Sequence, residues 1–314
     1  LDFQPEDMPE PEFLGTKTLE PSLETVTEYI DWTPFFLAWE MKYPFPQILE
    51  HDDYGEEAQK LYDDGRRMLD TIVETGRLGA KGVWGLFPAG RQGDDVVLYE
   101  TDQRDSVRQR LCNLRQQRKR HEESAPHLCL SDFVAPADGD LDDYVGAFAC
   151  TAGRGLREWR NELEDEHDDY SSIMATVLAD RLAEACAEYM HETARDALGY
   201  GDDLSNEELI DEEYRGIRPA PGYPACPDHT EKVKLWELLD VEETTGMTLT
   251  ESYAMDPGAS VSGWYYSHPE SRYFNVGGLG RDQIESYAER KGMGVEECER
   301  WLMRNLDYEP EDYE

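Results

Sequence analysis

Positive charge is what this sequence has least of. Thirty basic residues face 70 acidic ones, a formal net charge of −40, and only 8 of the 30 are lysines, against 22 arginines. A nucleic-acid backbone is held by clustered Lys and Arg. The one basic run, Arg115 to Arg120 with Lys119, is followed closely by Glu122 and Glu123. Nucleic acid is therefore not an expected partner. Long apolar runs are missing too: none approaches the ~18 residues that spanning a bilayer requires, and no basic stretch followed by an apolar one opens the chain. No membrane contact and a cytoplasmic location are expected. The six cysteines, at 112, 129, 150, 186, 226 and 298, show no C-x-x-C and no paired spacing, which argues against zinc sites and disulfide frameworks. They read as small buried apolar residues. G-x-S-x-G, H-E-x-x-H and Walker patterns are absent as well, so no local catalytic signature stands out.

What is present suffices for a folded core. The 314 residues include 39% hydrophobic and 11% aromatic side chains, unlike the aromatic-poor makeup of disordered chains. The acids are spread along the whole chain, a pattern that suggests salt adaptation. Dense carboxylates hold water, and their repulsion is screened when the Debye length drops to about 3 Å at 1 M salt. An ordinary acidic cytosolic protein is the plainer alternative.

The first residue is Leu, and Pro5, Pro9 and Pro11 lie among Asp2, Glu6, Asp7, Glu10 and Glu12. Residues 1–15 read as an interdomain linker and 16–314 as one domain, a piece of a longer polypeptide. Helices are predicted over 21–30, from the Thr33-Pro34 cap, over 56–75, 230–241, 282–291 and 295–303. Strands are predicted over 82–88, 96–100, 144–150, 249–254, 260–267 and 272–276. The clearest helix, 172–198, gathers Leu178, Leu182, Ala185, Cys186, Tyr189 and Met190 on one face. Its stripe of Arg181, Glu184, Glu188, His191 and Arg195 fits a solvated face with ion pairs one turn apart. Ser205-Asn-Glu-Glu208 is a capping box.

Three segments invite a chemical reading. Glu162-Leu-Glu-Asp-Glu-His-Asp-Asp169 could hold a hard cation, but it meets no ligand spacing and reads as a solvated charge run. Cys150-Thr-Ala-Gly-Arg-Gly-Leu156 imitates a nucleotide-binding glycine loop, yet Glu158 stands where the third glycine belongs and no βαβ unit follows. The third is Gly216 to Pro227. Its four prolines fix φ and cannot donate, so the segment must be a stiff irregular loop, with an Arg fork at Arg218 suited to a carboxylate and a ring at Tyr223.

The run Arg218-Pro-Ala-Pro-Gly-Tyr-Pro224, followed by Ala225-Cys-Pro-Asp-His-Thr-Glu-Lys232, resembles the R-x-x-x-G-Y-P motif of the C-terminal activation domain of cobalamin-dependent methionine synthases. Ile30-Asp-Trp-Thr-Pro-Phe-Phe36, Gly85-Leu-Phe-Pro-Ala89, Asp132-Phe-Val-Ala-Pro136, Asp180-Arg-Leu-Ala-Glu-Ala185, Leu204-Ser-Asn-Glu-Glu-Leu209 and Gly258-Ala-Ser-Val-Ser-Gly-Trp264 look like that domain in the same order. The resemblance covers about residues 14 to 308. It implies an α+β fold with a bent, largely antiparallel sheet and flanking helices, unlike the doubly wound Rossmann methyltransferases.

The resemblance also implies a site for S-adenosylmethionine: Asp31 and Arg218 for its amino acid end, Tyr273 and Phe274 near the second hairpin, backbone groups around Ala220 for adenine, and Glu184 and Tyr223 close by. Phe274 replaces a Tyr found in some relatives. No catalytic residue and no metal ligand is implied. The implied activity is repair: inactive cob(II)alamin, carried mainly by another domain, takes an electron from a flavodoxin-like donor and a methyl from S-adenosylmethionine. Alone, the chain is expected to bind but not turn over. A stand-alone S-adenosylmethionine-binding regulatory module is the alternative.

Overall fold

The computed structural model describes residues 1–117 and 126–310; Arg118 to Arg120 of the basic run and the last four residues of the acidic tail lie outside them. Strand β1 (Gly15–Leu19) precedes helices α1 (Leu23–Thr27), α2 (Thr33–Ala38) and α3 (Gly55–Thr75). Strands β2 (Gly79–Gln92), β3 (Asp95–Tyr99), β4 (Val107–Leu111) and β5 (Asp143–Arg154) follow, then α4 (Leu156–Asp165) and α5 (Asp169–Ala197). The second half holds α6 (Asn206–Ile210), α7 (Lys232–Leu239) and α8 (Val241–Thr245). The two-residue strands β6 (Thr248–Leu249) and β7 (Met255–Asp256), then β8 (Ser260–Tyr265), α9 (Arg281–Lys291) and α10 (Val295–Leu302) complete it.

Six strands form one antiparallel sheet in the order β4-β3-β2-β5-β8, with β1 also paired to β2. Long β2 takes β1 along Gly82–Leu86 and β3 along Ala89–Gln92, and Pro88 stands at the changeover. Burial follows from the side-chain period of two. Phe148, Cys150 and Ala152 of β5 face a core built with α3 and α5, whereas Val145, Ala147 and Ala149 face a second core under α7 and α8. Helices α9 and α10 close a third, smaller cluster around Val276, Leu279 and Tyr287. The expected α+β architecture is what forms, and the glycine passage at 153–155 runs from an antiparallel strand, with no parallel crossover to make a nucleotide fold.

Several expectations are corrected. Residues 249–254 are mostly a turn, flanked by the short β6–β7 pair, and 272–276 are irregular chain. Tyr253 adopts a left-handed φ of 59°, which an extended strand does not allow. The helix expected over 230–241 breaks at Asp240, at φ 50°. The polar stripe of α5 is not a solvated face throughout: Glu188, His191 and Arg195 are buried against the chain after α6, and only Arg181 and Glu184 are partly exposed. In the acidic run, Asp168 caps α5 by accepting from the Ser171 N–H at 3.0 Å, and Glu162 and Glu164 pair with Arg77 and Arg160. All six cysteines are free and buried. Among the described residues no helix is long and apolar enough to cross a membrane.

Residues before β1 lie against the domain. The Glu10 and Glu12 N–H groups donate to the carbonyls of Leu198 and Ala197 at the end of α5, and Arg215 donates to the Asp7 carbonyl.

Candidate functional site

Proline stiffness and two backbone ladders place the Arg218 loop. Ile217 and Tyr266 exchange backbone hydrogen bonds at 3.0 Å, and the Trp264 N–H donates to the Pro219 carbonyl at 2.9 Å, so the loop hangs on the end of β8. Gly263 makes that approach possible, because a Cβ there would stand 2.7 Å from the Pro219 oxygen. Beyond the prolines, Gly222 turns at φ 96° and donates to Cys226 at 2.7 Å, which folds Tyr223 outward to 59% exposure.

Between this loop, β8, α5 and residues 273–275 lies a cavity of about 590 Å³. Six of the seven residues expected at the site line it: Glu184, Arg218, Ala220, Tyr223, Tyr273 and Phe274. The seventh, Asp31, lines an adjoining cavity of about 300 Å³ that shares Glu184, Glu212 and Arg218 with the first. Asp31 lies just before α2, and its Oδ1 accepts from the Thr33 N–H at 2.8 Å. All seven thus surround two neighbouring chambers with Arg218 in the common wall.

Arg218 is fixed from behind. Its Nη1 donates to the Glu188 carboxylate and to the Tyr214 hydroxyl at 2.8 Å, while its backbone N–H donates to the Tyr273 hydroxyl at 3.1 Å. Nε and Nη2 have no protein acceptor among the described residues, which leaves one side of the fork for a ligand. Burial works most strongly against the Arg218 charge, but the Glu188 carboxylate together with the Tyr214 and Tyr273 hydroxyls holds the guanidinium above its ordinary range. Burial likewise raises the Glu188 carboxyl, with Arg218 opposing. For His191, burial and then the charges of Arg218 and Arg195 push the ring well below its ordinary value, so it is neutral.

Sequence reasoning missed Glu212, Glu188 and Tyr214. Glu188 follows Glu184 by four residues and so stands one turn further along α5 on the same side. That spacing was the available signal. Glu212 sits at φ 57° just after α6, a conformation with no mark in the sequence.

The chambers suit a ligand that is part nucleoside and part amino acid. The larger falls within the usual range for a small-molecule site. Phe148, Val261 and Phe274 give it apolar walls for a ring, and the Ser262 hydroxyl is buried there without a partner among the described residues. Asp31 and Arg218, both lining the smaller chamber, match an α-ammonium and an α-carboxylate.

Fold and site together define a ligand-binding α+β domain with its pocket on the edge of an antiparallel sheet. A family model for the activation domain of vitamin B12 dependent methionine synthase matches residues 22–292. The crystal structure of the MetH reactivation domain bound to AdoHcy is similar, with a TM-score of 0.93 and 52% identity over 96% of this chain and 93% of that one. The chain belongs to the family of activation domains of vitamin B12 dependent methionine synthases.

Proposed function

We propose that the chain binds S-adenosylmethionine across the two chambers and so supports the reductive methylation of oxidised cobalamin held by another domain. The observation that carries this is the meeting of Asp31, Glu184, Arg218, Ala220, Tyr223, Tyr273 and Phe274 around Arg218, from separate stretches of sequence. Support also comes from the similar MetH domain, which was crystallised with AdoHcy.

In this reading Arg218 takes the ligand carboxylate with its unengaged nitrogens and Asp31 takes the ammonium. The loop backbone around Ala220 meets the adenine edge, and Tyr273 and Phe274 close the side. When bound, S-adenosylmethionine supplies a sulfonium methyl, an electrophile whose transfer needs positioning and no protein base or nucleophile. The residues here do only that: they bind, orient and leave Tyr223 at the open mouth. The isolated chain binds without turnover. A cobalamin-binding domain of the same polypeptide and a flavodoxin-like electron donor are its partners, in the cytoplasm.

The test is calorimetry with S-adenosylmethionine in concentrated KCl. Arg218→Ala and Asp31→Ala should each weaken binding roughly tenfold to a hundredfold, the usual worth of a charge-assisted contact. Unchanged affinity in both would remove the assignment.

A further inference from the structure

We infer that Arg195, buried behind the chambers, is a positioning residue that sets how strongly Arg218 draws the carboxylate of the ligand. The inference rests on the S-adenosylmethionine reading and adds a determinant that touches no ligand.

The difficulty it resolves is electrostatic. Arg218 is in contact with Glu188, and both are largely withdrawn from water, with side-chain exposures of 16% and 7%. Such a pair carries little net charge, so an arriving carboxylate meets the repulsion of Glu188 together with the attraction of Arg218. Arg181 in the lining of the smaller chamber is one further cation, and behind the wall lies a second, fixed one.

Arg195 is that cation. It lies on α5 two turns beyond Glu188, at 0% exposure. Its guanidinium sits over the Tyr214 ring, 4.4 Å from the centroid, and the Tyr214 hydroxyl accepts from Arg218 at 2.8 Å. Ring and hydroxyl therefore link the two arginines. His191 fills the remaining space, 4.7 Å from the Tyr214 ring and stacked on Tyr265 at 5.0 Å. Because that imidazole is neutral, it adds no charge to the wall. Asp202 approaches Arg195 at 3.6 Å with a buried Oδ1, but the pair is not hydrogen-bonded and the Asp202 side chain as a whole is 31% exposed, so the pairing offsets the Arg195 charge only in part.

A buried guanidinium whose Nε, Nη1 and Nη2 all lack hydrogen-bond partners among the described residues is costly. A structural role would be served better by an apolar side chain. The charge itself is what such a position supplies.

Two ligands separate the roles. S-adenosylhomocysteine carries the amino acid end; 5′-deoxy-5′-methylthioadenosine carries the nucleoside and lacks it. By calorimetry, Arg195→Gln should bind S-adenosylhomocysteine roughly fivefold to tenfold more weakly and methylthioadenosine within about twofold of wild type, the scale of one partly screened buried charge. Arg195→Lys should keep most of the affinity for both. Asp202→Asn removes the carboxylate nearest Arg195 and leaves Arg218 and its partners in place; it should tighten S-adenosylhomocysteine about twofold to fivefold and leave methylthioadenosine unchanged, even where Arg195→Gln fails to fold. Equal losses for both ligands, or no loss for either, would overturn the inference. Failure of wild type to bind S-adenosylhomocysteine would instead sink the S-adenosylmethionine reading on which it depends.

Discussion

Arg218 shows how far a single residue can be read before the fold is known. Four prolines make its loop stiff and its fork makes it a carboxylate candidate, and both properties are local. The residues that aim it are not. Glu188 and Tyr214 reach Arg218 from 30 positions upstream and four upstream, and only folding brings them to one nitrogen. Glu212 was hidden for a different reason, since a left-handed backbone at a glutamate has no signature in composition or period. Gly263 tests the same local geometry. Replacing it with Ala would push a methyl group to 2.7 Å from the Pro219 oxygen and 3.1 Å from the Phe148 ring. Gly263→Ala should therefore cost about 1–3 kcal/mol, as overpacking does, and should also weaken S-adenosylmethionine by moving the Arg218 loop. Thermal unfolding and calorimetry together check this, and a variant with wild-type stability and affinity would contradict it.

At the level of elements, helix α5 was legible because Leu178, Leu182, Ala185 and Cys186 recur at helical spacing, and the structure buries all four. Strands β1 and β4 were not legible: both lie at sheet margins with at most one buried residue each, so neither shows apolar alternation. The stripe on α5 misleads because polar residues at one-turn spacing look alike whether they face water or a buried cluster. Its burial has a pH consequence. The unfolded His191 takes up a proton as pH falls through about 6.5, while the folded ring resists it. Stability from this group is complete above that value and is lost as pH falls below it. Asp143 acts with the opposite sign: burial pushes its carboxyl from 3.8 to about 6, so between those values stability declines as pH rises. His191→Gln leaves Asp143 in place and should lose less stability than wild type on going from pH 7 to pH 5.5. Urea midpoints at the two pH values measure this. Equal losses in both proteins would show that His191 does not titrate in that way.

For the molecule as a whole, a formal charge of −40 on 314 residues governs the response to salt. Mutual repulsion among carboxylates weakens the folded state in dilute buffer and fades as the Debye length falls from about 10 Å at 0.1 M salt to about 3 Å at 1 M. The melting temperature should rise steadily with KCl over that range. A melting temperature indifferent to KCl would end the case for salt adaptation. An acidic surface resides in exchangeable positions, whereas the site depends on spacing. Glu184 faces the chambers and Glu188 holds Arg218, with three residues between them on one helix. A lineage can therefore recolour its surface one substitution at a time as its surroundings grow more or less saline. It cannot gain or lose a single codon between those two glutamates, because a shift of one residue turns a helix by about 100° and would separate the chamber from the clamp in one generation.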